Sequence, residues 1–265
     1  MEPLLEVKNL TKTFEENRGG KGLFLPRKEW KKKGLTAVNQ VSFSLYPGEI
    51  LGIAGASGAG KSTVARAVTR LLDVTSGEIF FHGKEITRAE GKARDEVYQH
   101  MQMVFQSPEA SFHPRHTLGY SIGESFRNRG YSRKEAQKEA GKLLRVCGLP
   151  ESLAFRYPRE VSGGQCQRAA IARALSREPE LLVCDEATSA LDVMAQKKIV
   201  DLLRKLRQEY KMACLFICHD LALVQSLCDR VLIMEDGKIA EEGRTEDVLQ
   251  NPKSRAARAL LEAVI

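Results

Sequence analysis

The stretch "GASGAGKST", Gly55 to Thr63, restricts the possible folds of this chain more than any other. Gly55, Gly60, Lys61 and Ser62 complete the pattern G-x-x-x-x-G-K-[ST]. The apolar run Ile50 to Ala54 before it reads as a buried strand, and a helix is predicted after it, from about Ser62 to Leu72. In the context strand, glycine-rich loop, helix, backbone N–H groups wrap phosphate oxygens and the helix start adds its positive end. Lys61 then reaches the β- and γ-phosphates, and Ser62 offers a hydroxyl to Mg²⁺.

Other segments supply what such a loop needs for chemistry. In "LLVCDEATSALD", Leu181 to Cys184 reads as a strand whose end presents Asp185 and Glu186. Asp185 would hold the metal, mostly through its waters, because Mg²⁺ keeps several of them. Glu186 is one residue further and points differently, toward the place of an attacking water, as general base or as the group that positions that water. Gln106, in "MVFQSP", follows a predicted strand and can ligate Mg²⁺ or the water through its amide oxygen. His219 ends the apolar run "ACLFIC", at a strand end where ligands bind in α/β sheets, and is expected to contact the γ-phosphate. A second glycine turn lies in "VSGGQCQRAAIARAL", where Ser162, Gly163 and Gly164 precede a predicted helix. Either this turn is ordinary capping, or it grips a nucleotide that the first loop does not hold.

Between these motifs the pattern alternates strands and helices. "LLEVKNLTKTF" reads as a strand ending at Phe14. Val38, Val41, Phe43 and Leu45 alternate in a second strand, which turns at Tyr46-Pro47-Gly48. "SGEIFFHGKEI" reads as a strand and turn, and "RVLIMEDGKIAEEG" as a hairpin at Asp236-Gly237. The middle is helical, from about Ser107 to Arg177. It includes Ser121 to Asn128 and a helix begun by the capping box of Ser132 and Glu135 and stopped at Gly148. The segment "NPKSRAARALLEAVI" is expected to form a short amphipathic helix. The net charge of +7 is concentrated in Arg18 to Lys33, where seven Lys and Arg face the single Glu29. Such a segment suits a solvated loop, and it also suits anionic lipid or nucleic acid. The six cysteines fit no zinc or haem spacing and are expected to be buried thiols. With no apolar run of about 18 residues and no apolar signal core in "MEPLLEVKNL", a cytoplasmic protein is expected.

Taken in order, Gly55–Thr63, Gln106, Ser162–Gln165, Asp185–Glu186, Ser189–Asp192 and His219 resemble the Walker A, Q-loop, signature, Walker B, D-loop and H-loop of ATP-binding cassette ATPases. The resemblance covers nearly the whole chain, with two departures: Val161 replaces the usual signature leucine, and Ala187 the usual proline after the glutamate. It implies an α/β P-loop NTPase fold: a RecA-like mixed sheet core, an antiparallel β-subdomain, and an inserted helical subdomain at about 107–177 within a single domain spanning 1–265. It implies ATP and Mg²⁺ as cofactors. The nucleotide would be held by Gly55, Ala56, Ser57, Gly58, Ala59, Gly60, Lys61, Ser62 and Thr63. Metal contacts would come from Ser62, Gln106 and Asp185, catalysis from Glu186, His219 and Gln106, and adenine stacking from Phe14. It also answers the question of the second turn. In this family the signature turn of one subunit caps the γ-phosphate held by another, so Ser162, Gly163, Gly164, Gln165 and Asp192 would serve a nucleotide bound by a partner chain.

"MVFQSPEASFHPRHTL", "SALDVMAQKKIVDLLRKLRQEY" and "NPKSRAARALLEAV" resemble segments of the peptide/nickel importer subfamily. The basic insert after Phe14 resembles that of the second of its two ATPases. The resemblance implies a second ATPase partner (a copy or a paralogue), two transmembrane permeases and, indirectly, a solute-binding protein. It places the chain peripherally at the cytoplasmic face of the membrane, with no nucleic-acid partner. Ala187 and "SRAA" tilt the expected cargo from peptides toward nickel or a metal chelate. A chromosome-type cassette would need a long coiled coil between Lys61 and Ser162, and no heptad run is present. A translation-factor type would carry two cassettes. A non-hydrolysing module would typically lack Lys61, Glu186 or His219.

Overall fold

The computed structural model describes residues 2–15, 34–189 and 191–262. The basic segment 18–33 and Ala190, inside the stretch Ser189–Asp192, lie outside the described residues. The chain begins with β1 (Leu5–Phe14), β2 (Leu35–Leu45), β3 (Ile50–Gly55) and α1 (Lys61–Val68). It continues through β4 (Ser76–Phe81), β5 (Lys84–Glu85), α2 (Gly91–His100) and β6 (Met101–Val104). The helices α3 (Leu118–Ile122), α4 (Glu124–Asn128), α5 (Arg133–Val146) and α6 (Gly163–Leu175) follow. After them come β7 (Leu181–Asp185), α7 (Val193–Tyr210), β8 (Ala213–Ile217) and α8 (Leu221–Leu227). The last elements are β9 (Arg230–Glu235), β10 (Lys238–Arg244), α9 (Thr245–Gln250) and α10 (Arg255–Glu262).

The strands form two sheets. An antiparallel sheet has the order β2-β1-β4-β5, and a six-stranded mixed sheet has the order β10-β9-β3-β8-β7-β6, parallel except for β10. Burial on both faces explains why β3, β7 and β8 read as continuous apolar runs. Alternation sorts their side chains between two cores. Leu51, Ile53, Leu181, Val183, Leu215 and Ile217 join α1 and the antiparallel sheet. Ile50, Ala54, Leu182, Cys184, Cys214 and Phe216 join α6, α7 and α8 on the other face. The mixed sheet is therefore the middle layer, and its parallel strands all end on one edge. The six cysteines are buried, unpaired thiols, and burial pushes those of Cys147 and Cys166 up to about 12.

Three local readings differ from the structure. Helix α1 stops at Val68, short of Leu72, because Arg70 turns into the left-handed region (φ 57°) and its guanidinium meets Asp73 at 3.0 Å. The N–H groups of Leu71 and Leu72 both fold back to the Arg66 carbonyl, closing the helix without a glycine. Instead of one helix over 121–128, α3 starts at Leu118, capped by Thr117, and α4 follows Gly123. Helix α2 has no counterpart in the sequence pattern, because Val97 is its one buried residue and no apolar stripe marks it. Among the readings that match, α5 carries the Ser132–Glu135 capping box and Gly148 follows it with φ 67°.

Candidate nucleotide site

The candidate phosphate loop, residues 55–60, joins the end of β3 to α1. Gly60 sits at the helix N-cap with φ 97°, and a Cβ there would lie 2.2 Å from the Ala37 carbonyl oxygen, so only glycine fits. No side chain caps α1, so its first-turn N–H groups are open to an anion. Lys61 is buried, and its ammonium donates to the carbonyls of Gly55 and Ala56, each at 2.9 Å. Burial pulls its pKa down, while the charges of Glu186, Asp185 and Cys218 work in the other direction. Ser62 Oγ donates to Asp185 Oδ1 at 2.6 Å, joining positions far apart in sequence. Burial raises the Asp185 carboxyl. The Ser62 bond and the charges of Arg66 and Lys61 oppose that shift, and Glu186 adds to it. A buried ammonium, an uncapped helix start and a hydroxyl–carboxylate pair of hard oxygens fit a nucleotide triphosphate with Mg²⁺.

Glu186 follows β7 in the left-handed region (φ 48°), a strained position for a residue with a side chain. Its N–H donates to the Ile217 carbonyl at 3.1 Å, and its carbonyl accepts from Ser189 Oγ at 3.0 Å. Gln106 lies just past β6 and donates from Nε2 to that same Ser189 Oγ at 3.3 Å. Gln106, Ser107, Asp185, Arg66 and Arg173 line a cleft of about 410 Å³. Arg66 escaped the sequence reading, although its place four residues after Ser62 puts both on one helix face. His219 is exposed immediately beyond the buried strand β8 and Cys218. The loop after β3, Gln106 after β6, Asp185 and Glu186 at β7 and His219 after β8 therefore share the edge where parallel strands end.

Phe14 stands at the last position of β1, 41% exposed, opposite Leu35, with the Lys12 ammonium 5.2 Å from its ring centre. The β9–β10 turn ties this antiparallel sheet to the phosphate loop. Gly237 N–H donates to the Ala59 carbonyl, and the Gly237 carbonyl accepts from Asn39 N–H.

The second glycine turn is a complete cap of its own helix. Ser162 Oγ accepts from Gln165 N–H at 3.3 Å, and Gln165 Oε1 accepts from Ser162 N–H at 2.9 Å. Gly164 packs so closely on α7 that a Cβ would lie 2.8 Å from that of Ala195, whose N–H donates to Asp192 Oδ1. Ser162, Gly163 and Asp192 are exposed, beside the exposed Val193 and Met194. Among the described residues, no hydrogen bond or ion pair joins 162–165 to 55–63.

A family model described as ABC transporter matches residues 38–189. The oligopeptide transport ATP-binding protein OppF of Escherichia coli K12 is 43% identical over 263 residues, covering 98% of this chain and 77% of OppF. The glutathione import ATP-binding protein GsiA of Pectobacterium atrosepticum is 42% identical over 264 residues, 99% of this chain and 41% of GsiA. Among solved structures, the dimeric post-hydrolysis state of the ATP-binding cassette MJ0796 bound to ADP and Pi superposes with a TM-score of 0.78 at 28% identity, covering 91% of this chain and 98% of that one. CbiO1 from Clostridium perfringens, part of the ABC transporter complex cbiONQ, gives 0.77 at 25% identity with both chains fully covered. With the phosphate loop, the strand-end carboxylates and these likenesses together, the chain belongs to the ABC transporter family, as a subunit that binds ATP with Mg²⁺ and hydrolyses it.

Proposed function

We propose that the chain energises import of peptides, with 1–265 acting as one nucleotide-binding domain and 107–177 as its helical lever. The observation that carries this reading is the convergence of Lys61, Ser62, Asp185 and Glu186 at the C-terminal ends of β3 and β7. Lys61 exchanges the carbonyls of Gly55 and Ala56 for phosphate oxygens, whose charge offsets the cost of burying its own. Residues 55–60 and Thr63 line the phosphates with backbone N–H groups. Ser62, Asp185 and Gln106 would hold Mg²⁺, which when bound supplies charge neutralisation across the phosphates. Glu186 orients and polarises the attacking water, and His219 contacts the γ-phosphate.

Phe14 offers its ring to adenine, a sequence-tolerant contact worth about 1–3 kcal/mol by analogy with base–aromatic stacking. Phe14→Ala should therefore weaken ATP binding about 5- to 150-fold in a nucleotide titration. An unchanged ATP affinity in that variant removes the stacking role.

The partners in this reading are a second ATPase, as a copy or a paralogue, two permeases and a solute-binding protein. The place of action is the cytoplasmic face of the membrane. Among the described residues, no helix is long and apolar enough to cross a membrane. Peptide cargo follows from the names of OppF and GsiA. Of the features that tilt toward nickel, Ala187 is buried, and Ala256 and Ala257 pack α10 on the core. The permeases' cytoplasmic helices are expected in the groove beside Gln106, at residues 100–130. After reconstitution with its permeases and binding protein, hydrolysis should rise on adding peptide, with permease crosslinks at 100–130. Stimulation by nickel chelates alone, or crosslinks that avoid this stretch, would contradict the reading.

A further inference from the structure

We propose that Gln167 is a positioning residue for hydrolysis: through the Phe105 carbonyl it holds the loop that presents Gln106 to Ser189 and Glu186. Gln167 lies in the second turn of α6 and is 1% exposed, on a helix whose other buried residues are apolar. A buried amide is costly there unless it is hydrogen-bonded. Its Nε2 donates to the Phe105 carbonyl at 3.3 Å, across 62 residues of sequence. The next residue is Gln106, whose Nε2 donates to Ser189 Oγ at 3.3 Å, and Ser189 Oγ donates to the Glu186 carbonyl at 3.0 Å.

A continuous path therefore runs from α6 through the 105–106 loop to the strained backbone of Glu186. Gln167 is also two residues beyond Gln165, which closes the cap of the Ser162 turn. A helix is rigid over one turn, so a displacement of the exposed Ser162 turn carries Gln167, and with it the backbone next to Gln106. The arrangement links occupancy of that turn to the position of Gln106 at the reacting phosphate. The inference rests on the reading of Gln106 and Glu186 given above.

Gln167→Met keeps the length and approximate volume of the side chain and removes the donor. Turnover of Mg-ATP by the purified full chain is measured against ATP concentration, with thermal unfolding alongside. The expected result is a fall in kcat of roughly 5- to 100-fold, the scale of a misplacement near 1 Å, with KM within about twofold of wild type. In combination with Gln106→Ala the loss should not exceed that of Gln106→Ala alone, because both changes break one path. Fully multiplicative losses, an unchanged kcat in Gln167→Met, or a parallel collapse of nucleotide binding would each overturn the inference. Gln167→Leu repeats the measurement if the Met variant does not fold. Failure of both variants to fold would make Gln167 a packing residue and overturn it as well. If Gln106→Ala alone leaves turnover intact, the site reading fails instead, so the two failures are distinguishable.

Discussion

Glu186→Gln should leave Mg-ATP binding intact and reduce turnover by roughly 10²–10⁴-fold, the range for a group that moves or polarises a proton in the transition state. The site's electrostatics separate the two effects. Glu186 is close enough to raise the carboxyl of Asp185 and to support the charge of Lys61. Replacing it with an amide removes a negative charge from the site proposed for the polyphosphate, which favours binding. The backbone is unaffected by the change, because the bonds of Glu186 N–H to Ile217 and of its carbonyl to Ser189 remain. Single-turnover hydrolysis and nucleotide affinity, measured on the same sample in the assembled transporter, check the split. Near-full ATPase activity in this variant would end the assignment of Glu186.

A second large effect is expected at the Ser162 turn. The purified chain should hydrolyse ATP slowly, with specific activity that rises with protein concentration or with added partner ATPase. Within the chain the Ser162 turn bonds to its own helix and the phosphate loop bonds to Asp185, so neither completes the other. The turn nevertheless has the properties of a phosphate cap: it is exposed, it is rich in glycine, and it opens a 13-residue helix whose dipole favours an anion. Exposed Val193 and Met194 beside it supply apolar area for a partner. In a heterodimer, Ser162→Arg should abolish hydrolysis at the site whose phosphate loop belongs to the partner, while this chain's own nucleotide stays bound. The lost cap would cost about 1 kcal/mol of stability, which thermal unfolding reads separately. Fast hydrolysis by a monomer, independent of dilution, would show that one chain is a complete site.

The features legible in the sequence are those that the chain builds over a few consecutive residues. The phosphate loop is one, since its glycines and lysine act within a single turn. The cap pair Ser132–Glu135 is another, because capping needs only four residues. The buried strands β3, β7 and β8 announce themselves because a strand covered on both faces is apolar throughout. Where packing sets the boundary the signal disappears. Leu71 and Leu72 look like another helical turn, but the left-handed Arg70 has already ended α1. Helix α2 buries too little to leave a pattern.

By itself, then, the sequence determined which groups are present and at which strand ends or helix starts they stand. Only the tertiary structure decided which of them meet. The bond of Ser62 to Asp185, the relay from Gln106 through Ser189 to Glu186, the tie from Gln167 to Phe105 and the clamp of Gly237 on Ala59 all join residues that the sheet order brings together. Local propensity is a property of neighbouring residues and can be read along the chain. A contact between distant residues depends on the path of the whole backbone, which the burial of two separate cores around one sheet selects.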